Sequence, residues 1–209
     1  MLVDDHAVVR AGYRRLLEDE AGLQVVSEHG DADAAYAALG RVEAPMADVL
    51  VLDLSMPGRS GLDLLRRLRA RWPGLQVLVF SMHDSAVMVA QARQAGAAGY
   101  VTKSSDPDTL VQAVRRVARG EQDVLSPDLQ AALGTAHQWP QGPHRLLSAR
   151  EFEVFRGLVQ GLPIEQIAEQ LRLSPKTVAN YQTQIRQRLG VSTAVDLLRY
   201  AHEHRLFSP

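Results

Sequence analysis

The sequence predicts an α/β fold, a doubly wound five-stranded parallel sheet, followed by a small all-α domain that carries a helix-turn-helix. Three observations predict it. Short apolar runs alternate with helical periodicity as far as about residue 120. The runs at 49–52 and 77–80 are nearly all Val and Leu, as expected of strands covered by helices on both faces. Beyond residue 147 the pattern is helical throughout.

In order, strands are expected at 1–3, 23–27, 49–52, 76–80 and 99–102, with helices between them at about 6–20, 33–41, 61–71, 85–95 and 107–119. Turn chemistry marks several of the breaks: Pro57-Gly58, Pro73-Gly74, Gly96 after a helix, and Asp106-Pro107 opening the next. The first domain is therefore placed at 1–120. From 121 to 146 periodicity fades and Pro127, Gly134, Pro140, Gly142 and Pro143 punctuate the chain, which predicts a linker with room for one short helix. Ser148-Ala149-Arg150-Glu151 is a capping-box pattern, and a helical domain is placed at 147–209.

Length and composition bound the function classes. A chain of 209 residues suits one ordinary domain plus a small one, and 46% hydrophobic with 22% charged residues is a globular composition. The absence of cysteine excludes a disulfide framework, a thiol nucleophile and cysteine-rich zinc sites. No run approaches the ~18 apolar residues of a membrane span, and Asp4 and Asp5 stand where a signal peptide would be basic. A soluble cytoplasmic protein is expected. Net charge is −1, with 15 basic and 18 acidic residues in 1–147 against 8 and 6 in 148–209, a weak pointer to an anionic partner for the C-terminal part.

The chemistry is expected beyond the carboxyl ends of the strands, where doubly wound sheets bind ligands. Asp4 and Asp5 follow the first strand, Asp53 the third, Ser81 the fourth and Lys103 the fifth. Three crowded carboxylates repel one another unless a cation neutralises them, and hard oxygen ligands suit Mg²⁺. With that charge screened, Asp53 can attack a phosphoryl group and form an aspartyl-phosphate. Lys103 would pair with the phosphoryl oxygens and Ser81 would donate a hydrogen bond. Singly, each residue has an ordinary reading, since strand-end Asp residues cap helices and a lone Lys or Ser is usually solvated. The convergence of five is what favours a site. An Asp-nucleophile phosphatase of the haloacid-dehalogenase kind wants a second Asp two residues on, where this chain has Ser55. No enzyme is expected beyond self-phosphorylation from phosphodonors and slow loss of the group.

The runs Val3-Asp4-Asp5-His6, Leu52-Asp53-Leu54-Ser55-Met56-Pro57-Gly58, Phe80-Ser81-Met82-His83-Asp84 and Gly96-Ala97-Ala98-Gly99-Tyr100-Val101-Thr102-Lys103 resemble the signature stretches of flavodoxin-like receiver domains in NarL/FixJ-type two-component response regulators. The resemblance covers essentially all of 1–120. It implies that Asp53 accepts a phosphoryl group from a sensor histidine kinase. It also implies that Asp5, Asp53 and the backbone carbonyl of Ser55 ligate Mg²⁺, with Asp4 helping through water, and that Ser81 and Tyr100 are a switch pair. By position alone Tyr100 fits an ordinary edge-strand aromatic equally well. Only Met1, Leu2 and Val3 precede the acidic pair, fewer than such receivers usually carry, which points to an N-terminally shortened chain. A clipped first strand is expected to weaken the sheet and misplace Asp4 and Asp5. It keeps open a receiver that acts as an interaction module without phosphorylation.

In the tail, a helix at 164–171, a turn at Arg172-Leu173 and Ser174-Pro175-Lys176-Thr177 opening 178–189 have helix-turn-helix spacing. Ser174 suits the N-cap, Pro175 the first helical position and Gly190 the stop. At about 100° per residue, Val178, Tyr181, Ile185 and Leu189 share an inward side, opposite Lys176, Asn180, Thr183 and Gln187. Such a polar face is usually only solvated. The runs Leu147-Ser148-Ala149-Arg150-Glu151, Ile167-Ala168 and Ser174-Pro175-Lys176-Thr177-Val178, however, are similar to those of the LuxR-type DNA-binding domain across 147–198. That resemblance implies sequence-specific binding of double-stranded DNA and control of transcription. It makes Lys176, Asn180 and Thr183 the leading contacts, with Thr177, Gln184 and Gln187 beside them and Arg186 and Arg188 near the phosphates. The family often has His where Tyr181 stands. The last helix, about 193–204, commonly serves dimerisation in such domains, so a homodimer is expected on phosphorylation or DNA binding. Val195, Leu198 and His202 would be contact or core. His202 and His204 diverge on a helix, so no metal site is expected there.

Overall fold

The computed structural model describes residues 1–40, 47–56, 61–133, 143, 147–171, 173–204 and 206. The Pro57-Gly58 turn, Gly134, Pro140, Gly142 and Arg172 lie outside the described residues. The chain divides into two compact units, one of Met1–Asp84 and Met88–Ala136, the other of Ser85–Val87 and His137–Pro209.

From Met1 to Ala118 strands and helices alternate: β1 (Leu2–Val3), α1 (Ala7–Glu18), β2 (Glu28–His29), α2 (Ala32–Gly40), β3 (Val49–Leu52), α3 (Gly61–Arg71), β4 (Gln76–Ser81), α4 (Ala86–Gln94), β5 (Gly99–Thr102) and α5 (Pro107–Ala118). The sheet is parallel, in the order β2-β1-β3-β4-β5-β6, with Val124–Leu125 as β6. Strand order reverses between β1 and β3, the switch point at which such sheets open a crevice.

Side chains that alternate along a strand face opposite ways. Val49 and Val51 of β3 enter a cluster with Leu78, Phe80, Val101, Leu110, Val114 and Val117, and α5 supplies the last three. Leu50 and Leu52, on the other face, are buried as well. This accounts for the unbroken apolar runs.

Among the described residues the sheet has six strands, not the expected five. β6 (Val124–Leu125) pairs with β5 through Gly99↔Val124 and Tyr100↔Leu125, inside the segment assigned to a linker. Two residues leave no periodicity to detect, and the chain enters the strand through left-handed conformations at Gly120 (φ 86°) and Asp123 (φ 57°). Gly99 makes the pairing possible, because a Cβ there would lie 2.6 Å from the Val124 carbonyl oxygen. The short helix for which the linker had room is α6 (Pro127–Leu133).

β2 also differs, falling at Glu28–His29 and not at 23–27. β1 offers Leu2 and Val3 for pairing, and their partners are Glu28 and His29. The brevity of β1 does not displace its acids. β1 pairs on both sides, and the Met1 amino group donates to the Val49 carbonyl at 3.0 Å.

The second unit is helical: α7 (Ala149–Val159), α8 (Ile164–Leu171), α9 (Pro175–Leu189) and α10 (Ala194–Glu203). The capping box at α7 is formed in both directions, with Ser148 accepting from the Glu151 N–H and Glu151 accepting from the Ser148 N–H. Ser174 caps α9 by accepting from the Thr177 N–H at 3.0 Å, and Gly190 ends the helix at φ 69°. Among the described residues no helix is long and apolar enough to cross a membrane.

Candidate functional site

The ends of β1, β3, β4 and β5 bring the expected residues together. Ladder hydrogen bonds from the Asp4, Asp53 and Lys103 amides to the carbonyls of His29, Val3 and Ser81 fix the backbone from which each side chain departs. Gly61, at the start of α3, lets that helix approach, since a Cβ there would lie 2.7 Å from the Asp53 carbonyl oxygen.

Lys103 Nζ lies 2.5 Å from Asp4 Oδ2 and 2.6 Å from Asp53 Oδ2. Asp4 is 6% exposed and Asp53 2%, so these are charge-assisted bonds shielded from solvent. Burial pulls the Lys103 pKa down, but Asp53 and Asp4 outweigh it and hold the ammonium above its ordinary value. The lysine is therefore charged and spans the two acids.

Among the described residues, one ligand atom each from Asp4, Asp5, His6 and Asp53 lie within 4.8 Å of one another. Asp5 Oδ1 is buried without a hydrogen-bond partner; His6 Nδ1 is 3.0 Å away. An orphaned carboxylate oxygen inside an acidic cluster is what a cation would satisfy. The donor set is mainly hard oxygen and fits Mg²⁺.

Ser55 enters the site through its backbone N–H, which donates to Asp53 Oδ1 at 2.9 Å, and through its hydroxyl, 3.0 Å from His83 Nε2. Ser81 is fully buried. Tyr100 is buried too, its hydroxyl donating to the His83 carbonyl at 2.8 Å.

Sequence reasoning missed three features. His83 meets Ser55 through its ring, Tyr100 through its carbonyl and Ser81 through its N–H at 3.4 Å. It lies in the Phe80-Ser81-Met82-His83-Asp84 run, two residues after Ser81. Arg10 donates to the Asp4 carbonyl at 2.5 Å from the first turn of α1. Asp128 receives hydroxyls from both sides of Lys103, and nothing local in the sequence points to it.

On α9, Val178, Ile185 and Leu189 are buried and Tyr181 is half-buried. Lys176, Asn180, Thr183, Gln184 and Gln187 are exposed. Other polar groups are partly committed. The Thr183 hydroxyl donates to the Ala179 carbonyl at 3.1 Å, Thr177 and Ser174 hydroxyls lie 2.7 Å apart, and Arg188 pairs at 3.2 Å with Glu151, which is 2% exposed. Arg186 is half-buried with its Nε unpartnered. On α10, Val195 is 71% and Leu198 46% exposed, and His202 is exposed, so none of the three is core in this chain.

This fold and pocket define the class. Residues 1–115 match the response regulator receiver domain family and residues 145–201 the luxR family of bacterial regulatory proteins. The chain belongs to the transcriptional response regulators that join a receiver to a LuxR-type DNA-binding domain. It is 41% identical to the transcriptional regulatory protein UhpA of Salmonella typhimurium over 99% of this chain and 96% of that protein. It is 34% identical to the response regulator UvrY of Escherichia coli, over 99% and 94%. Among solved structures, RcsB of Salmonella enterica serovar Typhimurium, bound to promoter rprA with the phosphomimetic BeF3⁻, is 29% identical across 95% of both chains with a TM-score of 0.60.

Proposed function

We propose that Asp53 is the phosphoacceptor through which a sensor histidine kinase controls DNA binding by the LuxR-type domain. The observation that carries this reading is the pair of bonds from Lys103 to Asp4 and Asp53, at 2.5 and 2.6 Å, inside a buried carboxylate cluster. In the transfer, an Asp53 carboxylate oxygen forms a P–O bond as the donor's P–N bond breaks, and the imidazole nitrogen leaves with the electron pair. Small acyl phosphates would donate in the same way with a carboxylate leaving, and attack by water at phosphorus would slowly restore Asp53.

Asp5, Asp53 and the Ser55 carbonyl would hold Mg²⁺, with Asp4 behind them through water; the ion supplies charge neutralisation for the incoming phosphoryl oxygens. Lys103, already charged and aimed at Asp53, takes up one of those oxygens, and the Ser81 hydroxyl turns to another. Rotation of Ser81 opens space for Tyr100 once its bond to the His83 carbonyl is given up.

In the second unit, Lys176, Asn180 and Thr183, with Gln184 and Gln187, are the groups proposed to reach base edges, and Thr177 and Arg186 the phosphates. Arg188 would share its guanidinium between DNA and Glu151. The exposed Val195, Leu198 and His202 suit a homodimer formed on phosphorylation or DNA binding, and a cytoplasmic location follows from these roles.

Acetyl phosphate added to the wild-type chain should add one phosphoryl group by mass spectrometry and raise DNA affinity in gel shifts. Both effects should vanish in Asp53→Asn. A phosphodonor-induced gain that survives this substitution would refute the assignment.

A further inference from the structure

We infer that Asp128 is a positioning residue for Lys103, and that through it α6 senses the state of the phosphoacceptor pocket. The inference rests on the reading of Asp53 above.

Lys103 sits in the turn that leaves β5, and Asp128 grips that turn on both sides of it. Thr102 Oγ1 donates to Asp128 Oδ2 and Ser105 Oγ to Asp128 Oδ1, both at 2.6 Å. Thr102 is fully buried, and a third hydroxyl, from Ser104, donates to Thr102 Oγ1 at 3.1 Å. Burial pushes the Asp128 carboxyl up, yet the Ser105 and Thr102 hydroxyls hold it at about 2, so the clamp is ionised across the physiological range. An acid in the first turn of a helix is ordinary on dipole grounds alone. Those grounds do not direct both oxygens to hydroxyls flanking one lysine, 23 and 26 residues back in the chain.

The rest of the segment is fastened to the same strand. The Val124 and Ser126 amides donate to the Ala98 and Tyr100 carbonyls at 3.1 Å, and the Thr102 amide meets the Ser126 hydroxyl at 3.5 Å. β6 and α6 together form a strap on β5, which carries Tyr100 and ends at Lys103. α6 is also the last described helix of the first unit before the chain passes to the second.

A phosphoryl group on Asp53 offers Lys103 new oxygens and weakens its tie to Asp4. The ammonium is carried by the turn, and the turn by Asp128. Coupling of this kind is reciprocal. Loosening the clamp lowers phosphoryl capture, and capture changes how firmly α6 is held.

The test uses the full chain as wild type, Asp128→Ala, Ser105→Ala and Asp53→Asn, with acetyl phosphate and Mg²⁺. Phosphoryl uptake is read by mass spectrometry and amide exchange in peptides covering 99–106 and 127–133. Ser105→Ala removes a half-exposed hydroxyl and keeps the test open should Asp128→Ala fold poorly. Both clamp variants should show faster exchange at 99–106 without donor and uptake slowed several-fold, Asp128→Ala the more. In the wild type the donor should change exchange at 127–133, and Asp53→Asn and Asp128→Ala should each abolish that change. Uptake that Asp53→Asn abolishes, with exchange at 127–133 insensitive to donor, would overturn the inference and leave the phosphoacceptor reading standing. No uptake in the wild type would overturn both.

Discussion

Replacing Lys103 with Ala should destabilise the first unit in proportion to the charge it neutralises. The side chain bridges two carboxylates that are 6% and 2% exposed, and their ligand atoms lie within 4.8 Å of each other. At an effective dielectric of about 20, two unit charges at that distance repel by about 3.5 kcal/mol. This falls within the range of about 3–5 kcal/mol for removing one partner of a buried ion pair. Urea unfolding with EDTA, in a Trp139→Phe background, leaves Trp72 as the sole tryptophan reporter, and Trp72 is buried in the first unit. With a slope of about 1–3 kcal/mol per molar urea, the midpoint should drop by roughly 1–3 M. Mg²⁺ at about 100 times its Kd should return about 2.7 kcal/mol. Adding Asp53→Asn should relieve the repulsion, so the double variant should be more stable than Lys103→Ala. A midpoint unchanged by Lys103→Ala, or no recovery in the double variant, would show that Lys103 does not offset repulsion between Asp4 and Asp53.

Tyr100→Phe removes the bond to the His83 carbonyl, which should cost about 0.5–1.5 kcal/mol by the same unfolding assay. Gly99→Ala would place a Cβ 2.6 Å from the Val124 carbonyl oxygen; overpacking of about 1–3 kcal/mol should expel β6, seen as faster exchange of the Val124 and Ser126 amides. On α9, Asn180→Ala should cost about 1–3 kcal/mol at its preferred DNA sequence, whereas Lys176→Ala should weaken binding to all sequences alike and reduce the salt slope by about 1. Asp128 has its folded pKa lowered from 3.8 to about 2, so its stabilisation is complete above the ordinary value and lost as pH falls through about 2. Discounted for solvent screening, that is on the order of 1 kcal/mol, and acid titration of Asp128→Asn should lack it.

The two domains and the pocket were legible because their signals are local. Val49–Leu52 is apolar on both faces, and Asp53 follows it where the strand must end at the crevice. Each pocket residue is then placed by its own strand, and the parallel sheet brings the ends together without further information. What was not legible depends on partners distant in sequence. β6 is two residues that can pair because Gly99 carries no side chain. The polar face of α9 was readable as a face, yet the tie between Arg188 and Glu151 was not, because the two residues lie on different helices. Asp128 is the sharpest case. Its own neighbourhood is an ordinary helix start, and its use appears only where the turn bearing Lys103 returns to it. Strand ends can therefore be read for the chemistry they carry, whereas the contacts that restrain that chemistry are fixed by tertiary structure.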